Sequence, residues 1–175
     1  MIVVAIDPGI KNLGWSVYDT TRCEFISFGR YNLVKDQPKN MHTKYVHLVA
    51  DFVSRSKRVF DMADAVCVEI QMAAKFKVIA TAFLAFFWGK SHEVSMRSVR
   101  CHFDISMKNY AANKKASVAK IPELDISQKN KNWFTRFDNA KKDDVADAML
   151  LALYWVQVKS GDVQPTRKRK RREKL

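Results

Sequence analysis

The first third of the chain is written in short apolar runs separated by turn residues, and a helical period takes over only near Tyr45. Ile2 to Ile6 is a continuous β-branched run, which predicts a buried first strand ending at Asp7. Leu13 to Tyr18 and Glu24 to Leu33 predict a second and a third strand, and the residues around Asp36, Pro38 and Asn40 a loop. Tyr45, Leu48, Val49, Phe52, Val53 and Phe60 then recur at helical spacing. Ala65 to Ile70 predicts a fourth strand. Ala73 to Trp88 predicts a helix with an unusually broad apolar surface, and Glu93 to Val99 a fifth strand.

Lys108 to Lys120 reads as a basic loop running into a helix, and Asp125 to Asn132 as a polar connector. A last helix is expected from about Lys142 to Val158, with Val145, Met149, Ala152, Leu153 and Val156 as its core stripe. Beyond it the composition turns polar, with Gly161, Pro165 and the run Arg167-Lys168-Arg169-Lys170-Arg171-Arg172. The chain thus divides into one folded domain over 1–158 and a strongly basic tail over 159–175, expected to be disordered alone. Short connectors make the first three strands antiparallel, and the helical crossovers make the later ones parallel. The expected architecture is α/β: a mixed five-stranded sheet with helices on both faces.

With 175 residues, 47% of them hydrophobic, the chain can bury one real core. Its best membrane candidate, Val78 to Trp88, is too short to span a bilayer and is flanked by Lys75, Lys77 and Lys90. The N-terminus lacks the basic region of a signal peptide, so a soluble intracellular protein is expected. Cys23, Cys67 and Cys101 are scattered and have no zinc spacing; no spacing makes His92 or His102 a ligand either. Charge changes the picture. Of a net +13, the segment Thr166 to Leu175 contributes +6 and the rest of the chain +7. The body is basic without its tail, which favours nucleic acid as the partner through counterion release.

Against that basic background four acids stand out. Asp7 closes the first strand before a Pro8-Gly9 turn, and Glu69 closes the fourth. Asp144 and Asp147 are three apart on the last helix and project from one face; Asp143 and Asp147 would also share a face. Each has a bland reading as a turn former, an edge residue or a helix start, where acids suit the first turn. Together they suggest a hard-cation site facing a polyanion, because Mg²⁺ takes oxygen ligands and a two-ion site needs several converging carboxylates. Lys141 and Lys142 could touch phosphate there, or offset the local charge. Trp15, Trp133 and Phe134 could stack on splayed bases, although such aromatics more often belong to the core.

Asp7-Pro8-Gly9-Ile10-Lys11-Asn12-Leu13-Gly14-Trp15 resembles the opening of the RuvC family of Holliday junction resolvases. Val68-Glu69-Ile70-Gln71 and Asp144-Val145-Ala146-Asp147-Ala148 resemble that family's second and last acidic motifs, and the order fits up to about Val158. The wording is nearest to the branch found in poxviruses and fungal mitochondria, with the poxvirus resolvases nearer in length. The resemblance implies an RNase H-like fold, a homodimer and Mg²⁺ or Mn²⁺, two ions per site. It implies Asp7, Glu69, Asp144 and Asp147 as catalytic metal ligands and paired symmetric nicks in four-way DNA. It also implies 5′-phosphate ends and a role in viral recombination and concatemer resolution.

Lys115, in Lys114-Lys115-Ala116, is the candidate for stabilising charge at the scissile phosphate, with Lys114 close behind. Lys11, Arg97, Arg100, Lys114, Lys115, Lys141 and Lys142 are candidates for holding the DNA backbone. The broad helix Ala73 to Trp88 is the candidate dimer surface. Bacterial members carry an aromatic residue where Met72 stands, so the wedge that opens the junction is weaker here or moves to Phe76. The tail suits a DNA-binding arm in the host cytoplasm, or alternatively nuclear import. Two other functions fit less well: a nuclease for RNA–DNA hybrids or structured RNA sharing the acid set, and a protein that binds junctions without cutting. A phosphate-binding ATPase of the actin type needs a second domain, for which 175 residues leave no room.

Overall fold

The computed structural model describes residues 1–137 and 141–159, so the basic tail expected over 159–175 lies almost wholly outside the described residues. Strands β1 (Ile2–Asp7), β2 (Leu13–Asp19), β3 (Glu24–Tyr31), β4 (Ala65–Glu69) and β5 (Ser91–Val94) form one sheet in the order β3-β2-β1-β4-β5. β1 pairs antiparallel with β2, and β2 with β3; β4 runs parallel to both β1 and β5. This is the mixed five-stranded sheet expected from the connector lengths.

Side-chain alternation splits the core in two. Val3, Ala5, Ala65 and Cys67 face one way, and Val4, Ile6, Val66 and Val68 the other. The second face is covered by α1 (Tyr45–Arg55), α2 (Lys57–Asp61) and α3 (Ala74–Phe86). The first face is covered by α4 (Met96–His102), α6 (Gln128–Arg136) and α7 (Lys142–Lys159), with α5 (Tyr110–Lys120) packed beside them. α7 buries Val145, Ala146, Met149, Leu150, Leu151, Ala152 and Leu153, more than the single stripe expected, because it lies between the sheet and the outer helices.

Three boundaries differ from the sequence expectation. The helix read across Tyr45 to Phe60 breaks at Ser56, which ends α1 and precedes α2. The fifth strand stops at Val94, and Met96 to His102 is helical rather than extended. Val94 and Met96 alternate like a strand, but the next buried residue is Val99, three further on, which is a helix step. The connector expected over Asp125 to Asn132 contains the start of α6. Ser127 caps that helix by accepting a hydrogen bond from the Asn130 amide. Among the described residues no helix is long and apolar enough to cross a membrane.

Candidate active site

Period two puts the two strand acids on one face. Asp7 follows Val3 and Ala5, and Glu69 follows Ala65 and Cys67, all directed at the α7 side of the sheet. The parallel register that pairs Ala5 with Cys67 and Ile6 with Val68 brings the two strand ends level. α7 crosses that face and begins with Asp143, Asp144 and Asp147. Two contacts fix where it starts. A Cβ on Gly14, the β2 partner of Asp7, would lie 2.2 Å from the Asp144 carbonyl oxygen, so only glycine allows this approach. One turn further on, buried Ser16 donates to the Ala148 carbonyl at 2.9 Å. Gly9 serves the adjacent turn, where a Cβ would stand 2.4 Å from the Asn12 carbonyl oxygen.

The result is a cleft of about 430 Å³ lined by Asp7, Glu69, Asp144, Asp147, Lys114 and Arg100. Lys11, Lys75, Lys141, Phe76 and Tyr110 also line it. Asp147 is 1% exposed and Asp7 8%. Burial, and next the adjacent Glu69 carboxylate, push Asp7 well above the ordinary carboxylate range. Burial likewise raises Glu69, against a lowering hydrogen bond with Asp7, and raises Asp144 against the nearby Lys114.

Among the described residues, the lysine paired with the acids of the cleft is Lys114. Its Nζ lies 2.7 Å from Asp147 Oδ2, 2.9 Å from Asp144 Oδ1, 3.5 Å from Asp7 Oδ2 and 3.6 Å from Asp143 Oδ2. Burial disfavours this ammonium, but Asp7, Asp147 and Asp144 outweigh it and hold its pKa above the ordinary value. Lys115 is one helical step round α5, exposed, and lines the neighbouring groove with Lys142 and Asp143. Arg100, read from sequence as a DNA contact, points inward, with Nη2 3.2 Å from Asp147 Oδ2. Arg97 on the same helix is exposed. Lys141 and Lys142 sit at the start of α7, and Lys141 adopts a left-handed φ of 64°. Lys142 Nζ donates to the Thr135 carbonyl at 3.1 Å. Of the aromatics considered for stacking, Phe134 is core, Trp15 packs against the second core, and Trp133 lies on Phe28 at 4.1 Å between centroids.

The acids suit a hard cation. Asp147 Oδ1 is buried and has no hydrogen-bond partner, and the donors are all oxygens. Lys114 and Arg100 are the cations that pair with these acids, Lys114 with Asp7, Asp143, Asp144 and Asp147 and Arg100 with Asp147. Among the described residues, no three His, Cys, Asp or Glu side chains are already close enough to form a cage. The carboxylates instead gather round the Lys114 ammonium.

Sheet order, two helical layers and acids at the ends of β1, β4 and the start of α7 define an RNase H-like α/β protein. Solved structures that share the fold include the following three. The fowlpox virus resolvase, solved with substrate Holliday junction DNA, is 19% identical, with 91% of this chain and 99% of that chain covered and a TM-score of 0.63. The yeast mitochondrial Holliday junction resolvase is 15% identical, covering 90% and 80%, with a TM-score of 0.66. RuvC of T. thermophilus, in complex with a Holliday junction substrate, is 18% identical, covering 92% and 96%, with a TM-score of 0.54. No curated protein sequence matches the chain. The family model described as Poxvirus A22 protein matches residues 1–159, and this chain belongs to that family.

Proposed function

We propose that this protein is a metal-dependent endonuclease that resolves four-way and branched DNA by paired, symmetric nicks leaving 5′-phosphate ends. The convergence of Asp7, Glu69, Asp144 and Asp147 in one cleft carries the reading. A net charge of +13 and the fold shared with junction resolvases support DNA as the substrate. In this reading Asp7, Glu69, Asp144 and Asp147 hold divalent metal, Mg²⁺ or Mn²⁺, as two ions. Bound there, the metal supplies water activation and charge stabilisation at the leaving 3′ oxygen. Lys114 pairs with Asp7, Asp144 and Asp147 and would place positive charge beside a phosphate held there; Lys115 and Lys142 offer backbone contacts from the adjoining groove. Lys11, Lys141 and Arg97 offer further contacts.

A homodimer would present two such sites to two equivalent strands. α3 and the residues around it favour that assembly: Met72 is 83% exposed and Trp88 88%, with Val78 and Phe86 also exposed. In this reading the activity would serve the resolution of recombining or concatemeric viral DNA in the host cytoplasm, a setting that membership of a poxvirus family supports.

The test is cleavage of a synthetic mobile four-way junction with Mg²⁺ by wild type and Asp144→Asn. Paired ligatable nicks that the variant cannot make support a resolvase. An intact junction alongside a cut RNA–DNA hybrid would move the function to ribonuclease.

A further inference from the structure

We propose that the outer face of α6 grips the phosphate backbone of a duplex arm of the branched DNA, an inference that rests on the junction-nuclease reading. Gln128 to Arg136 contains no Asp or Glu. Lys129, Asn132, Trp133 and Arg136 fall at i, i+3, i+4 and i+7, so they share one face; all four are exposed and border one shallow cleft. Among the described residues, no carboxylate pairs with Lys129, Lys131 or Arg136. Unpaired cations on one face match a polyanion better than they match the protein's own surface.

The opposite side of α6 is tied down. Asn130, fully buried, accepts from the Phe25 amide at 2.9 Å and donates to the Phe25 carbonyl at 2.7 Å. Phe134 is 2% exposed, and the Trp133 ring rests on Phe28, which leaves its indole held against the protein. The face is therefore rigid, and binding orders little besides the ends of two cationic side chains. Seven residues of helix advance roughly 10 Å, about three base-pair steps of duplex, so Lys129 and Arg136 can meet different phosphates. The face also adjoins the acid cleft: Lys142, two residues before Asp144, contacts the Thr135 carbonyl and lies 4.6 Å from the Phe134 ring centre. An arm leaving the cleft past Lys142 reaches α6 next.

The experiment measures four-way junction binding in EDTA over a salt series, with wild type, Lys129→Gln/Arg136→Gln, and the equal-charge control Lys35→Gln/Arg58→Gln. Each lost phosphate contact removes about 0.9 from the slope of log K against log salt, so the α6 double variant should be shallower by about 2 and bind roughly tenfold more weakly. Its cleavage rate at saturating protein should match wild type. Wild-type slope and affinity in the α6 variant would overturn the proposal and leave the nuclease reading standing. So would an equal loss in the control, which would reveal a net-charge effect. A wild type that binds no branched DNA would overturn both.

Discussion

Gly14 and Asp144 meet backbone to backbone: a Cβ on Gly14 would stand 2.2 Å from the Asp144 carbonyl oxygen and 2.6 Å from its carbonyl carbon. Both clashing atoms are main chain, so no side-chain rotation relieves them. Gly14→Ala must push the start of α7 away from β2 and carry Asp144 with it. Overpacking of this kind costs about 1–3 kcal/mol. Urea unfolding should report that loss, and single-turnover cleavage should fall well beyond any loss of junction affinity. Wild-type cleavage in a folded Gly14→Ala protein would show that Asp144 tolerates displacement.

Lys114 and Lys115 should separate cleanly. Removing the Lys114 ammonium strands Asp7, Asp144 and Asp147 without their shared cation. Loss of one partner of a buried ion pair costs about 3–5 kcal/mol, so Lys114→Met should be strongly destabilised in EDTA. Mg²⁺ or Mn²⁺ should recover much of that stability, because a cation again neutralises the carboxylates. Exposed Lys115→Met should stay within about 0.5 kcal/mol of wild type. Thermal melts with and without metal check both, and a Lys114→Met melt insensitive to metal would argue against metal in the cleft.

These contacts also mark where sequence reasoning stopped. That Asp7 and Glu69 close two strands was legible from the apolar runs before them, and that Asp144 and Asp147 share a helix face from their three-residue spacing. The choice between Lys114 and Lys115 was not, since α5 buries only Ser117 and offers no strong apolar stripe to orient it. α6 escaped notice for a related reason: its buried residues are Asn130 and Phe134, so its inward face is half polar. Gly14 stood in the opening motif, but its role depends on a helix some 130 residues later, a proximity that only the fold reveals.

Arg97 and Arg100 are three apart on α4 and should behave differently. Arg100 is paired with buried Asp147, whereas Arg97 is exposed. Arg100→Gln should lower the cleavage rate at saturating DNA and leave junction affinity near wild type, because it disturbs how Asp147 is held. Arg97→Gln should weaken binding modestly, make its salt dependence shallower by about 0.9, and spare the saturated rate. Identical profiles for the two variants would remove the distinction.

Metal-free stability should fall as pH rises above the ordinary carboxylate range. Asp7 and Glu69 are raised in the folded state, chiefly by burial, with Glu69 and Asp147 adding to the burden on Asp7 and Lys114 opposing it. Between the unfolded values, near about 4, and the raised folded values, the native state holds more protons than the unfolded chain. The slope of unfolding free energy with pH is therefore negative across that window, and the stability present below it is lost as pH passes through the folded pKa. Asp7→Asn removes the most perturbed carboxylate, so in EDTA it should flatten this slope and be more stable than wild type at pH 7. Metal should reverse the order, because wild type gains ligand binding that the variant lacks. Urea midpoints from pH 4 to 8, with EDTA and with Mg²⁺, test both statements; a wild type that gains stability with pH in EDTA would contradict the burial of these acids.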